Sequence, residues 1–317
     1  MNHQYIKDFM YGTTVASCYI LQDFRVGTTK NDTKYLSATL KDNSGTISAK
    51  LWSYCDSVSA NDVGKIVFVE GSVDIYQNNP QIVLSGIRSI TLDDMEGLDD
   101  LSALVPMAPI DVDDEMHSIS WTIYSMTDED YKAICQEMIN RYEKKFRVFP
   151  AAKSVHHSFR SGLLMHTTNM LILTEYIADI YKAHVNRDLL LAGVLLHDIG
   201  KIKEFTVSEL GLVTDYSIDG KLMGHAIICA EEITEIADEL GTPEEKARLI
   251  KHLILSHHGK PEHGAAVVPV CLEAELLSCI DMIDSRVEIY SEATANLSTG
   301  EFSPRIYALD KQVLKHR

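Results

Sequence analysis

The hydrophobic period of this chain changes once, and that change limits the folds open to it. Through residues 12–92 apolar side chains recur at every second position. Leu36, Ala38 and Leu40 alternate with Tyr35, Ser37 and Thr39; Ile47, Ala49 and Leu51 alternate with Ser48, Lys50 and Trp52. A period of two marks strands with one buried face. Asp42-Asn43-Ser44-Gly45 between these runs is a hairpin turn signal. Further strand-like runs begin at Val15, Lys65 and Ile82, and Gly71 within one of them suits a bulge or a barrel corner.

Beyond an acidic stretch the period becomes helical. Ile134, Met138 and Ile139 share one face, as do Leu163, His166, Met170, Leu173 and Ile177. Leu222, His225, Cys229, Ile233, Ile236 and Leu240 form a third such series. Gly241-Thr242-Pro243 should stop one helix and start the next, with Thr242 as cap and Pro243 in the first turn. That next helix should end at His257-His258-Gly259, and another should run from about Leu272 to Tyr290. The expected fold is therefore multi-domain. An all-β OB-type barrel over residues 1–92 precedes an acidic linker over 93–114 and an all-α domain over 115–317. Asp113 or Asp114 should cap the first helix. The tail from Ser291 is less periodic.

Length agrees with two domains, since 317 residues is about twice a typical domain. The charge narrows the function. With 29 basic and 46 acidic residues the net charge is −17, which repels nucleic acid and anionic membranes at long range. A phosphate substrate would have to be met by a local cation, such as a bound metal. The six cysteines include no CxxC pair and read as buried hydrophobes rather than a zinc knuckle. The longest apolar run, Leu189 to Leu196, is far short of the ~20 residues of a membrane span. The first residues show no basic segment followed by an apolar one, so a cytoplasmic location is expected.

Histidine placement carries the chemistry. Nine of 13 histidines fall between His156 and His258, where even scattering would put about four. In chain order the helical region offers His166, His197-Asp198, His225, His257-His258 and Asp281, each on or at the end of an expected helix. Rigid helix ends can aim imidazoles and carboxylates into one preorganised metal site. Nitrogen and oxygen donors without thiolate suit Mn²⁺, Fe²⁺, Co²⁺, Zn²⁺ or Ni²⁺ better than Ca²⁺. An aspartate beside a histidine is poorly placed for packing alone, because a buried carboxylate needs partners.

The order His…His-Asp…His…His-His…Asp resembles that of the HD-domain metal-dependent phosphohydrolases, with Leu195-Leu196-His197-Asp198-Ile199-Gly200-Lys201 as the central motif. Residues 150–169 (PAAKSVHHSFRSGLLMHTTN), the stretch LILSHHG from Leu253 to Gly259 and the upstream barrel are similar to YhaM-type 3′→5′ exoribonucleases. The resemblance implies that His166, His197, Asp198 and Asp281 hold one divalent ion. It also implies that Asp198 bridges to a second, completed by His225, His257 and His258. Manganese is the first expectation, with cobalt, iron, zinc or nickel as alternatives. Asp284, one turn after Asp281, either orients a ligand or is a capping or surface carboxylate.

The implied chemistry is hydrolysis of a phosphodiester by a hydroxide shared between two metals. Asp198 and Lys201 are the expected catalytic residues, Lys201 as a phosphate-contacting cation. His156, His157 and Arg160 are candidate contacts to the 3′-terminal nucleotide. On the barrel, Tyr35, Lys50 and Trp52 point away from the apolar side, where single strands stack in OB folds; Phe24 and Tyr76 could add to them. The expected substrate is single-stranded RNA, with single-stranded DNA as an alternative, no membrane partner, and room for a homo-oligomer. Two other functions compete: a phosphohydrolase of small or cyclic nucleotides with a regulatory barrel, and a nucleic-acid-binding adaptor for replication or repair.

Overall fold

The computed structural model describes residues 3–29, 31–77, 79–90, 101–152, 159–208 and 210–317. Two compact units result: Met1–Met107 with Ser208–Leu210, and Ala108–Val207 with Gly211–Arg317.

The first unit is built on β1 (Thr14–Thr28), β2 (Lys34–Asp42), β3 (Gly45–Leu51), β4 (Ile66–Tyr76) and β5 (Asn79–Ser89). They close into a barrel in the order β1-β2-β3-β5-β4, with β3 and β5 parallel and β4 antiparallel to β1. This is an OB-type barrel. The alternating residues Leu36, Ala38, Leu40, Ile47, Ala49 and Leu51 fill its interior with Tyr19, Leu21, Val67, Val69 and Ile82. Asp42 makes the β2–β3 turn. Its Oδ1 accepts from Ser44 N, Ser44 Oγ and Gly45 N at 2.7, 2.7 and 3.0 Å. Gly71 sits at the register shift between β4 and β5, where a Cβ would lie 2.4 Å from Val83 O. β1 reaches both neighbours by bending at a second shift, between Leu21 and Asp23. That bulge moves the alternation by one residue. Phe24, expected to be free for stacking, consequently packs on the core beside Tyr54, with ring centroids 6.0 Å apart.

The second unit begins with α1 (Val112–Ser125). Its cap is Asp111, not Asp113 or Asp114. The Asp111 carboxylate accepts from both of their N–H groups, at 2.9 and 3.1 Å. There follow α2 (Glu129–Phe146), α3 (Gly162–Ile180), α4 (Arg187–Leu196) and α5 (Lys201–Glu204). Then come β6 (Phe205–Val207), β7 (Val213–Tyr216), α6 (Ile218–Leu222), α7 (His225–Leu240), α8 (Glu244–Ser256) and α9 (Leu272–Thr294). The apolar run becomes α4, buried from Asp188 to Leu196 and surrounded by α3, α2, α8 and α9. Its Gly193 permits close approach, since a Cβ there would meet Leu253 Cδ2 at 2.5 Å.

The helical expectation fails in four places. β6 and β7 form a small antiparallel hairpin inside the helical unit. Leu222 belongs to the separate α6 and is exposed, because Gly224 at φ 76° breaks the chain before α7. Pro243, not Thr242, occupies the cap position of α8, after Gly241 ends α7 in the left-handed region at φ 67°. The last helix runs on to Thr294, and beyond it the tail folds back through bridges Phe302–Leu314 and Ile306–Lys311. Among the described residues no helix is long and apolar enough to cross a membrane.

Candidate metal centre

Five helices bring the candidate ligands together. His166 projects from the first turns of α3. His197 and Asp198 follow the end of α4, and His225 opens α7. His257 and His258 follow the end of α8, and Asp281 lies within α9. His166 Nε2 stands 3.3 Å from His197 Nε2, 3.4 Å from Asp281 Oδ1 and 3.7 Å from Asp198 Oδ2. His197 Nε2 is 3.3 Å from that same Asp198 oxygen. The other oxygen, Oδ1, faces the second group: 3.4 Å to His225 Nε2 and 3.9 Å to His257 Nε2. His225 Nε2 and His257 Nε2 are 3.4 Å apart, and the His258 ring packs on His257 at 3.9 Å between centroids. Donor atoms of His166, His197 and Asp198, and of His225, His257 and His258, form two groups compact enough to hold an ion.

The outer ring nitrogens explain why the inner ones converge. His197 Nδ1 donates to Val194 O at 2.9 Å and His257 Nδ1 to Ile254 O at 2.6 Å. A carbonyl only accepts, so these rings carry their proton on Nδ1 and, when neutral, turn the Nε2 lone pair inward. His166 Nδ1 meets Asp284 Oδ2 at 2.6 Å, and Asn169 Nδ2 holds the other Asp284 oxygen at 3.0 Å. Asp284 is therefore a buried partner of a candidate ligand, not a surface carboxylate. Glu204 plays the matching part for His225, accepting from Nδ1 at 3.2 Å and from the backbone N–H at 3.1 Å. Sequence reasoning missed Glu204. Its one sequence signal is the spacing, a helical turn after Lys201; that it is buried shows only in the fold.

Charge follows the same geometry. Burial opposes ionisation of Asp198, yet Lys201 and His197 outweigh it and hold the carboxyl well below its usual range. Lys201 Nζ donates to Asp198 Oδ2 at 2.7 Å. Burial likewise opposes Asp281, but His166 keeps it ionised. Burial, then the neighbouring imidazoles, keep His257 neutral; burial and His225 bring His258 down to about 4. His166 goes the other way: burial disfavours its charge, but Asp281 and Asp284 push its pKa up to about 9. Between those carboxylates a positive charge is wanted, whether a proton or a metal ion.

The test of metal fit is Asp198 Oδ1. It is buried and, among the described residues, has no hydrogen-bond partner. An ionised oxygen in that state is costly. His225 Nε2 and His257 Nε2 face it at 3.4 and 3.9 Å, and a bound cation would satisfy the oxygen and both lone pairs at once. Five imidazoles and two carboxylates without thiolate suit a divalent transition ion.

The other expected residues are dispersed. His156 and His157 lie outside the described residues. Arg160 precedes α3 and lies over Gly211, whose Cβ would sit 3.0 Å from Arg160 Nη1; burial pulls its pKa down. On the barrel, Tyr35 and Trp52 are in ring contact at 5.7 Å. Lys50 Nζ lies over Tyr35, Trp52 and Tyr76 at 5.9, 5.3 and 5.5 Å. Trp52 is 50% and Tyr76 57% exposed, which leaves ring faces open to solvent. One side of Tyr35 is covered, its ring lying on Gly27, where a Cβ would come within 2.5 Å.

A histidine–aspartate cluster assembled from five helices defines an HD-domain protein, and residues 163–286 match the HD domain model. HD domains bind divalent metal ions, which agrees with the donor set here. Here the domain follows an OB-type barrel. The chain is 37% identical to 3′-5′ exoribonuclease YhaM of Listeria monocytogenes serotype 4b over 310 residues, covering 97% of this chain and 96% of the relative. It is 35% identical to 3′-5′ exoribonuclease YhaM of Bacillus subtilis over 305 residues, covering 95% and 94%. The chain belongs to the YhaM family of 3′-5′ exoribonucleases. A solved structure, the second OB-fold domain of replication protein A from Methanococcus maripaludis, aligns with 28% of this chain at 24% identity and a TM-score of 0.24. The barrel assignment rests on its closed strand order instead.

Proposed function

We propose that this chain is a cytoplasmic, metal-dependent exonuclease that removes nucleoside 5′-monophosphates from the 3′ end of single-stranded RNA, with single-stranded DNA as a second substrate. The observation that carries the reading is the divided Asp198 carboxylate. Oδ2 faces His166, His197 and Lys201, while Oδ1 faces His225 and His257 without a hydrogen bond. His166, His197, Asp198 and Asp281 would hold one divalent ion, and Asp198, His225, His257 and His258 a second. Manganese is the ion of choice. Bound ions of this kind supply Lewis acidity, polarising a phosphate and lowering the pKa of water.

The remaining work belongs to the chain. Asp198 stays ionised and ties the two groups of ligands together. Lys201 brings a positive charge beside them, where it can balance charge building on the phosphate oxygens. The walls of the centre are largely buried, so these charges act in a medium of low dielectric. Arg160 and the pair His156-His157 are proposed contacts to the terminal nucleotide. Tyr35, Trp52 and Tyr76 would stack bases, and Lys50 among them would meet a phosphate. A protein of net charge −17 gains little from long-range attraction to RNA, so this grip has to be short-range.

The test uses the whole protein with Mn²⁺ and a 5′-labelled single-stranded RNA carrying a 3′ tail. The expected result is a ladder shortening from the 3′ end, with 5′-monophosphates released and no turnover after chelation. Faster hydrolysis of cyclic dinucleotides or nucleoside triphosphates than of the RNA would overturn the reading.

A further inference from the structure

The rings of the metal centre are not held alike. His197 and His257 are fixed by main-chain carbonyls three residues earlier in the chain, Val194 O and Ile254 O. No side-chain substitution removes those acceptors. His166 and His225 instead depend on carboxylates from other elements, Asp284 on α9 and Glu204 on α5. Each of the two ligand groups thus contains one imidazole aimed by a remote carboxylate.

Glu204 is the more demanding case. His225 is the first residue of α7 and follows Gly224, which lies at φ 76°. At that first position its backbone N–H has no acceptor within its own helix. One oxygen, Glu204 Oε1, accepts from both the His225 main-chain N–H at 3.1 Å and its Nδ1 at 3.2 Å. It therefore sets the start of the helix and the direction of the ring together. Two glycines bring the elements close enough. A Cβ on Gly200 would lie 2.2 Å from His225 O, and one on Gly220 would lie 2.2 Å from Glu204 O. The result is that His225 Nε2 points at Asp198 Oδ1, the unpartnered oxygen.

We propose that Glu204 is the positioning residue for His225, and that through it the His225–His257–His258 group takes up its cation separately from the His166–His197–Asp281 group. This rests on the two-cation reading above. Removal of a carboxylate that orients a metal-bound histidine lowers metal affinity about 10- to 100-fold. Here the loss falls on one ion of the two.

The experiment is a Mn²⁺ titration of the full chain by calorimetry, with bound metal counted after dialysis at fixed free Mn²⁺. Wild type is expected to hold two ions per chain. Glu204→Ala should keep one at wild-type affinity and bind the other about 10- to 100-fold more weakly. Glu204→Gln retains an acceptor oxygen at the same reach and should recover most of the second binding. Glu204→Asp keeps the charge but shortens the reach, so it should behave like alanine; it carries the test if the alanine variant does not fold. Asp284→Ala should weaken the opposite ion. A wild type that binds two ions, with Glu204→Ala or Glu204→Asp binding both as tightly, overturns the proposal alone. So does equal weakening of both ions. A wild type that saturates at one ion overturns the two-cation reading and the proposal with it.

Discussion

The two units bury opposite kinds of chemistry. In the barrel unit, Ser17, Asp42 and Gln81 are the buried polar residues among those described, and the core cluster is aliphatic or aromatic. Its candidate binding residues, Trp52 and Tyr76, are outside and exposed. The helical unit buries His166, His197, Asp198, Glu204, His257 and Asp284 at its centre. An apolar interior stabilises by itself. A buried cluster of imidazoles and carboxylates does not, because desolvation works against every charge in it. The barrel's fold should therefore be indifferent to metal, and the helical unit's should not. The chain offers one tryptophan in each unit, Trp52 and Trp121, so variants retaining a single tryptophan report the units separately.

The largest expected effect comes from the residue that both ligand groups share. Asp198→Ala should lower RNA hydrolysis by about 10³-fold or more, since one change removes an oxygen from each group. The barrel's fluorescence transition should stay where it is. Measurable hydrolysis within tenfold of wild type would break the contrast, because the buried cluster would then not be the seat of the reaction.

Metal removal addresses stability directly. An ion that binds only the folded state at about 100 times its Kd adds about 2.7 kcal/mol. For a unit of this size that is a shift of about 5–10 °C in Tm. With Trp121 as the sole tryptophan, chelation should lower the transition by at least that amount, since two ions are proposed there. With Trp52 as the sole tryptophan it should not move. Equal shifts at both reporters would show that the units unfold as one.

How much of this was legible in the sequence follows from the length over which each signal repeats. Leu36, Ala38 and Leu40 declare a strand because three alternations outweigh local noise. The seven candidate ligands are legible because adjacent pairs, His197-Asp198 and His257-His258, fall where helices end. β6 and β7 are three and four residues long, too short for a period to register. Leu222 kept the helical spacing of α7 across Gly224, where a positive φ, not the hydrophobic pattern, ends the segment. Phe24 was misread because one bulge inverts every face after it. Glu204 was missed because its partner is 21 residues away and meets it only in the folded unit.

Acid should separate the units from the other side. Asp42 is the one carboxylate buried in the barrel among the described residues. It accepts from His3 at 3.0 Å and Ile6 N at 2.9 Å as well as from its own turn. Burial raises its pKa, but these bonds outweigh burial and hold it below the usual 3.8. A depressed folded pKa gives stability that is complete above the unfolded value and fades as pH falls through the folded one. Asp42→Asn, which turns an amide toward donors, should destabilise the barrel by about 2 kcal/mol at pH 6. The gap between variant and wild type, read at Trp52, should narrow as pH drops below about 3.8. A gap that widens there would reverse the assigned sign.

The smallest effect should come from the barrel's surface, and it is the one that ties the exposed chemistry to the buried. Trp52 stands half exposed against Tyr35 and under Lys50, so its removal leaves the core intact. Loss of one stacking ring is worth about 1–3 kcal/mol, and with Tyr35 and Tyr76 remaining the lower end applies. Trp52→Ala should therefore weaken binding of a long single-stranded RNA by about tenfold, or about 1.4 kcal/mol, at unchanged Tm. Hydrolysis of a dinucleotide, which is too short to stack on several rings, should be unaffected. If Trp52→Ala slowed the dinucleotide as much as the long RNA, the ring would be acting on the reaction and not on the grip. The proposed division between an outer face that holds and an inner cluster that cuts would then fail.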